Sequence, residues 1–144
     1  MPGIPLRATL GVLLCVAASS ARGQEAYKVV VHPDTAAVSL SRKQLSEIFL
    51  KRMTQWPDGT RALPVDQPED AAVREIFSRE VHGRKAAAIK SHWLQIVFSG
   101  RGVPPPEKED DQEVLAYVRS KRGAVGYVSA GARTDEVKVL RVGE

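Results

Sequence analysis

Apolar and polar positions in this chain follow two periods, and the switches between them mark the elements. Tyr27 to Val31 (YKVVV) is a short β-branched run, the pattern of a buried strand, closed by His32-Pro33-Asp34. Ser41 is placed to cap a helix. Gln44, three residues on, completes a capping-box pattern, and Leu40 with Leu45 fits a hydrophobic staple. Leu45, Ile48 and Phe49 then share one helical face, and Trp56-Pro57-Asp58-Gly59 stops the helix with turn chemistry. Arg61 to Asp66 (RALPVD) reads as a second strand, which Pro64 either weakens or places at a sheet edge. Asp66 or Gln67 can cap the next helix, with Pro68 in its first turn and Glu69 and Asp70 at the positive end of its dipole. Val73, Ile76, Phe77 and Val81 form its apolar stripe, and Gly83 ends it. A third helix spans about Lys85 to Phe98, with Ala86, Ile89, Trp93, Ile96 and Val97 inward.

Ser99 to Pro106 (SGRGVPPP) is an extended loop stiffened by three prolines. Asp110 and Glu113 repeat the capping-box pattern ahead of a fourth helix to about Lys121, which uses Val114, Leu115 and Val118; Arg122 and Gly123 finish it. Ala124 to Val128 and Val137 to Val142 are the last two strands. The order β-α-β-α-α-α-β-β predicts an α/β domain, a small mixed sheet flanked by about four helices.

Length and the N-terminus refine this. The chain has 144 residues, a length suited to one domain. Residues 1–23 read as an export signal: Arg7 forms the positive region, Ala8 to Ala18 is uncharged and apolar, and Ala21-Arg22-Gly23 offers small residues for cleavage after Gly23. The apolar run is about half of the ~20 residues a membrane span needs, so a soluble mature domain, 24–144, is expected in the periplasm. Cys15 is the single cysteine and falls inside the signal. Leu14 precedes it where a lipid anchor needs a small residue, so the mature chain has neither a disulfide nor a thiolate. Loss of Arg7 and Arg22 from a formal charge of +4 leaves +2. The cations are interleaved with acids along every helix, which argues against nucleic acid as a partner.

Two segments carry a resemblance. Ile48-Phe49-Leu50-Lys51-Arg52 with Trp56 is similar to the I-F-x-G-K-x-x-x-W pattern of the periplasmic phosphate-binding (PstS-like) branch of the substrate-binding proteins of ABC transporters, with Leu50 where glycine is usual. Gly123 to Val128 (GAVGYV) resembles that family's P-G-A-I-G-Y-V, Arg122 replacing proline and Val125 isoleucine. The resemblance covers Ser39 to about Ser129 and implies a single type II lobe of a periplasmic-binding-protein fold. In the family an R-S-D-G-S-G-T-like loop grips phosphate through backbone N–H groups at a helix start, small hydroxyls and one arginine. The matching stretch here is Asp66-Gln67-Pro68-Glu69-Asp70-Ala71-Ala72. Asp66 stands about where the arginine would be, Pro68 removes a donor, and Glu69 and Asp70 bring negative charge. Each charge costs a bound anion roughly 1–4 kcal/mol at surface dielectrics, against ~8 kcal/mol for micromolar binding.

Asp66 and Gln67 in this loop are candidate ligand-binding residues, as is Arg101, flanked by Gly100 and Gly102. No metal or cofactor set is read: His32, His82 and His92 lack ligand spacing. Ser91 and His92 point apart on a helix, and no nucleophile motif or Gly-rich phosphate loop occurs, so no catalytic residue is assigned. Two readings stay open. One is an exported receptor-like protein whose partner is a small anion, with a ligand role that has degenerated or persists through a homodimer. The other is a non-catalytic protein-interaction module of the cell envelope.

Overall fold

The computed structural model describes residues 26–144, and Gly3 ahead of them. The export signal and Cys15 therefore lie outside the described residues. Five strands form one mixed sheet: β1 (Tyr27–Val31), β2 (Ser39–Ser41), β3 (Leu63–Pro64), β4 (Ala124–Ser129) and β5 (Lys138–Gly143), in the order β2-β5-β1-β4-β3. β1 is central and antiparallel to both β4 and β5; β2 joins β5 and β3 joins β4 in parallel. Four α-helices flank the sheet: α1 (Arg42–Phe49), α2 (Ala72–Phe77), α3 (Ala86–Phe98) and α4 (Asp111–Ser120). This is the predicted α/β architecture. Among the described residues no helix is long and apolar enough to cross a membrane.

Alternation along the strands builds a core on each face. Val29 and Val31 of β1, with Val125 and Tyr127 of β4, pack with Leu45, Ile48 and Phe49 of α1 and Phe77 of α2. Val30, Ala124 and Val128 face the other way and meet Val65 and the Val114 and Val118 stripe of α4. Gly126 lies beneath that stripe, where a Cβ would fall 2.7 Å from a Val114 methyl and 2.8 Å from a Val65 methyl. Gly126→Ala is expected to cost about 1–3 kcal/mol of stability by overpacking, read from urea denaturation midpoints.

The capping box at Ser41 forms in both directions: Gln44 N–H donates to Ser41 Oγ (3.1 Å) and Ser41 N–H to Gln44 Oε1 (3.0 Å). At α4 the pattern slips by one residue. Asp110 accepts from Glu113 N–H at 2.9 Å, but the Glu113 carboxylate accepts from Glu109 N–H at 2.8 Å. Trp56 is a core residue whose indole N–H donates to Gly123 O at 2.9 Å, locking the 56–59 turn to the start of β4.

Several expectations are corrected. The strand read over 61–66 keeps its ladder at Leu63–Pro64 alone, with Arg61 and Asp66 in isolated bridges to Gln55 and Glu107. β3 does lie at the sheet edge, where a proline is tolerated. The helix expected from Pro68 begins at Ala72 and changes to a π-helical turn at Ser78–His82, with Gly83 (φ 66°) closing it. Its N-cap is Ala71, without a side-chain cap, so neither Asp66 nor Gln67 caps it. Val97 was expected inward but is exposed, because α3 leaves the core after Trp93. α1 stops at Phe49, well before the 56–59 turn expected to end it, because Lys51, not Leu50, takes the left-handed backbone (φ 57°) that closes the helix. Counted back from Trp56, the pattern's glycine falls on Lys51. A lysine there bears on the order of 1–2 kcal/mol of backbone strain that glycine would not.

Candidate functional site

The loop after β3 is held from both sides. Asp66 N–H donates to Pro106 O (2.8 Å), and Lys108 N–H donates to Asp66 O (2.9 Å), which fixes the Asp66 backbone against the 106–108 segment. From the core side, Tyr127 is positioned by stacking on Phe77, with ring centroids 3.9 Å apart and planes 7° apart, and by Phe49 at 5.8 Å. Its hydroxyl donates to Asp66 Oδ1 in a short bond. Asp66 Oδ1 also accepts from Gln67 N–H at 3.2 Å and lies 3.2 Å from Arg74 Nη1.

Arg74 completes the cluster. It projects from α2 into the core and is only 4% exposed. Its Nη1 donates to Gln67 O at 2.6 Å and lies 3.6 Å from Glu107 Oε1. The Gln67 carboxamide donates to Asp111 Oδ1 (2.9 Å) and Tyr127 O (3.0 Å), and Ser129 N–H reaches the same Asp111 oxygen at 3.2 Å. One connected polar cluster therefore ties α2, α4, β4 and the 106–108 segment to the end of β3.

Its electrostatics are those of a buried, acid-rich site. Burial pushes the Asp66 carboxyl above the usual carboxylate range, opposed by the Arg74 charge and the Tyr127 hydrogen bond. Burial, then the Asp66 charge, raises the Tyr127 phenol well above its ordinary value. Asp66, Glu107 and Asp111 outnumber the single guanidinium. Two of the loop's backbone donors are committed as well: Gln67 N–H faces Asp66 and the Tyr127 hydroxyl oxygen (3.2 Å), and Ala71 N–H donates to Pro68 O, while Pro68 has none to give. Glu69 turns outward to Lys90 at 3.1 Å.

Of the residues read as ligand candidates, Asp66 and Gln67 come together here, both buried. Arg101 is exposed and bonds within its own loop, Nε to Ser99 Oγ at 2.8 Å and N–H to Ile96 O at 3.1 Å. Sequence reasoning missed Arg74 and Tyr127. The signal for Arg74 was available: it lies three residues before Phe77, on a helix face that otherwise asks for apolar side chains. Among the described residues no group of three or more His, Cys, Asp or Glu is arranged to hold a metal.

No family model and no curated protein matches this chain. Solved structures do. A phosphate ABC transporter substrate-binding protein with bound phosphate from Clostridium perfringens matches 81% of this chain and 44% of its own, with 18% identity and a TM-score of 0.65. The fold is that of the phosphate-binding receptors. An ABC-type phosphate transport receptor from Vibrio cholerae matches 81% of this chain and 46% of its own (18% identity, TM-score 0.64). PstS from Borrelia burgdorferi matches 83% and 47% (12% identity, TM-score 0.58). The chain thus spans less than half the length of each receptor. The sequence resemblance and the fold agree, and the structural neighbours are binding proteins rather than enzymes.

Proposed function

We propose that this chain is an exported, non-catalytic module of the phosphate-receptor type whose phosphate loop has been converted into an internal brace. The observation that carries the reading is Arg74. A guanidinium in the loop region is the group an anion would need, and this one is buried against Gln67 O, Asp66 and Glu107. Bidentate capture of phosphate requires a guanidinium with free N–H groups directed at open space. Here a phosphate would have to displace two carboxylates and enter a site with excess negative charge. The receptor fold of its neighbours and the export signal read over residues 1–23 support action outside the cytoplasm, alongside transport or sensing components.

Isothermal titration of the purified protein with inorganic phosphate tests this. The expected result is no saturable heat where a receptor of micromolar affinity, ~8 kcal/mol, would be saturated. Micromolar binding accompanied by amide shifts at Gln67 would restore a working phosphate receptor and overturn the proposal.

A further inference from the structure

A second site lies on the outer edge of β3, away from the loop. The backbone bond from Ala62 N–H to Thr54 O (2.9 Å) closes one end of this edge, and that from Asp66 N–H to Pro106 O (2.8 Å) closes the other. Between them Pro64 has no N–H to offer, so the gap cannot be filled by a pairing strand. A cavity of about 120 Å³ occupies the gap. Ile48, Met53, Pro106 and Tyr117 give it apolar walls, and Lys51 and Arg61 also line it.

Among the described residues Lys51 and Arg61 form no ion pair, whereas Arg42, Arg74, Arg79, Arg119 and Arg133 each have a carboxylate partner. Burial and then the Arg61 charge lower the Lys51 pKa, so the ammonium is held partly desolvated beside a like charge with nothing to offset it. Lys51 holds a left-handed backbone conformation because it closes α1, its N–H donating to Ile48 O (3.0 Å) and Arg52 N–H to Glu47 O (2.8 Å), which fixes the backbone of a residue that lines the cavity.

We propose that this cavity binds a short-chain organic carboxylate, its anionic head between Lys51 and Arg61 and its alkyl part against Ile48, Met53 and Tyr117. The volume is that of about four water molecules, which suits a chain of about four carbons. Phosphate would satisfy the two charges but leave the apolar walls unused. This inference stands independently of the phosphate-loop reading, since it uses different residues on a different element.

The test is an amide NMR titration of the purified protein with butyrate, with inorganic phosphate as the comparison. Saturable shifts are expected at Ile48, Met53 and Tyr117, with a Kd of about 0.1–1 mM, in the range allowed to a ligand of this size. Lys51→Gly keeps a backbone-compatible residue, so its spectrum should stay folded while butyrate binding weakens at least about tenfold; Arg61→Gln should weaken it comparably. Three results would overturn the proposal: no saturable shifts at those residues, unchanged affinity in folded Lys51→Gly, or phosphate binding there more tightly than butyrate. Shifts confined to Gln67 would instead bear on the loop, which separates the two readings.

Discussion

Arg74→Met should destabilise the protein by about 3–5 kcal/mol, read from urea denaturation. The size follows from what the substitution leaves behind: Asp66 stays in the core with its guanidinium partner gone and only Tyr127 and Gln67 N–H to stabilise it, so it must either hold an unpaired buried charge or take up a proton. Gln67 O also loses its 2.6 Å donor. A buried ion pair is nonetheless weak evidence for net stability, because both charges had to be taken out of water. The double variant Arg74→Met with Asp66→Asn removes both charges and should recover most of the loss. The difference between single and double variants measures how far the cluster is held by mutual compensation. If the single variant costs less than about 1 kcal/mol, Arg74 is not the brace described here.

Acid should weaken the fold through His82. This imidazole sits in the π-helical turn, with Ser46 Oγ 2.7 Å from Nδ1 and the Phe77 ring edge-on at 5.8 Å. Burial, reinforced by the charges of Arg74, Arg84 and His92, lowers its pKa from 6.5 to about 4. The folded value lies below the unfolded one, so between these limits the unfolded chain binds the extra proton. The contribution is complete above pH 6.5 and is lost as the pH falls through about 4. The loss amounts to about 3 kcal/mol. Denaturation midpoints of the parent and His82→Gln across this window should converge at low pH, since the variant has no proton to take up there. Asp66, whose pKa is raised, works in the opposite direction, but it is present in both proteins and cancels. Parallel pH profiles would rule His82 out as the source.

What could be read from sequence was what depends on near neighbours. Ser41 and Gln44 are three residues apart, and their reciprocal bonds need nothing from the rest of the chain. Gly83 as a helix stop and Pro64 as an edge residue are local in the same sense. β2 has three residues, too few for a period to show, and exists because β5 lies beside it. The π-helical turn escaped because Val73, Phe77 and Val81 are buried whether or not the hydrogen bonds shift register. At the site, the chemistry of Asp66 was legible but its direction was not. Asp66 faces inward because Tyr127, 61 residues away in sequence, and Arg74 on α2 meet it there. Lys51 carried no marker of its backbone conformation, since the usual marker is the glycine it replaces.

The sheet order has a kinetic side. β1, the first strand, is flanked by β4 and β5, whose residues lie roughly a hundred positions later. Neither edge of β1 can be satisfied until nearly the whole sequence is available, so loop closure over that span comes before any central pairing is gained. A chain emerging from the ribosome would carry an unpaired YKVVV segment until β4 and β5 are made, during which α1 and α3 can form only as transient helices. Late closure of this kind favours slow folding and leaves the edges of YKVVV open to other chains until β4 and β5 arrive.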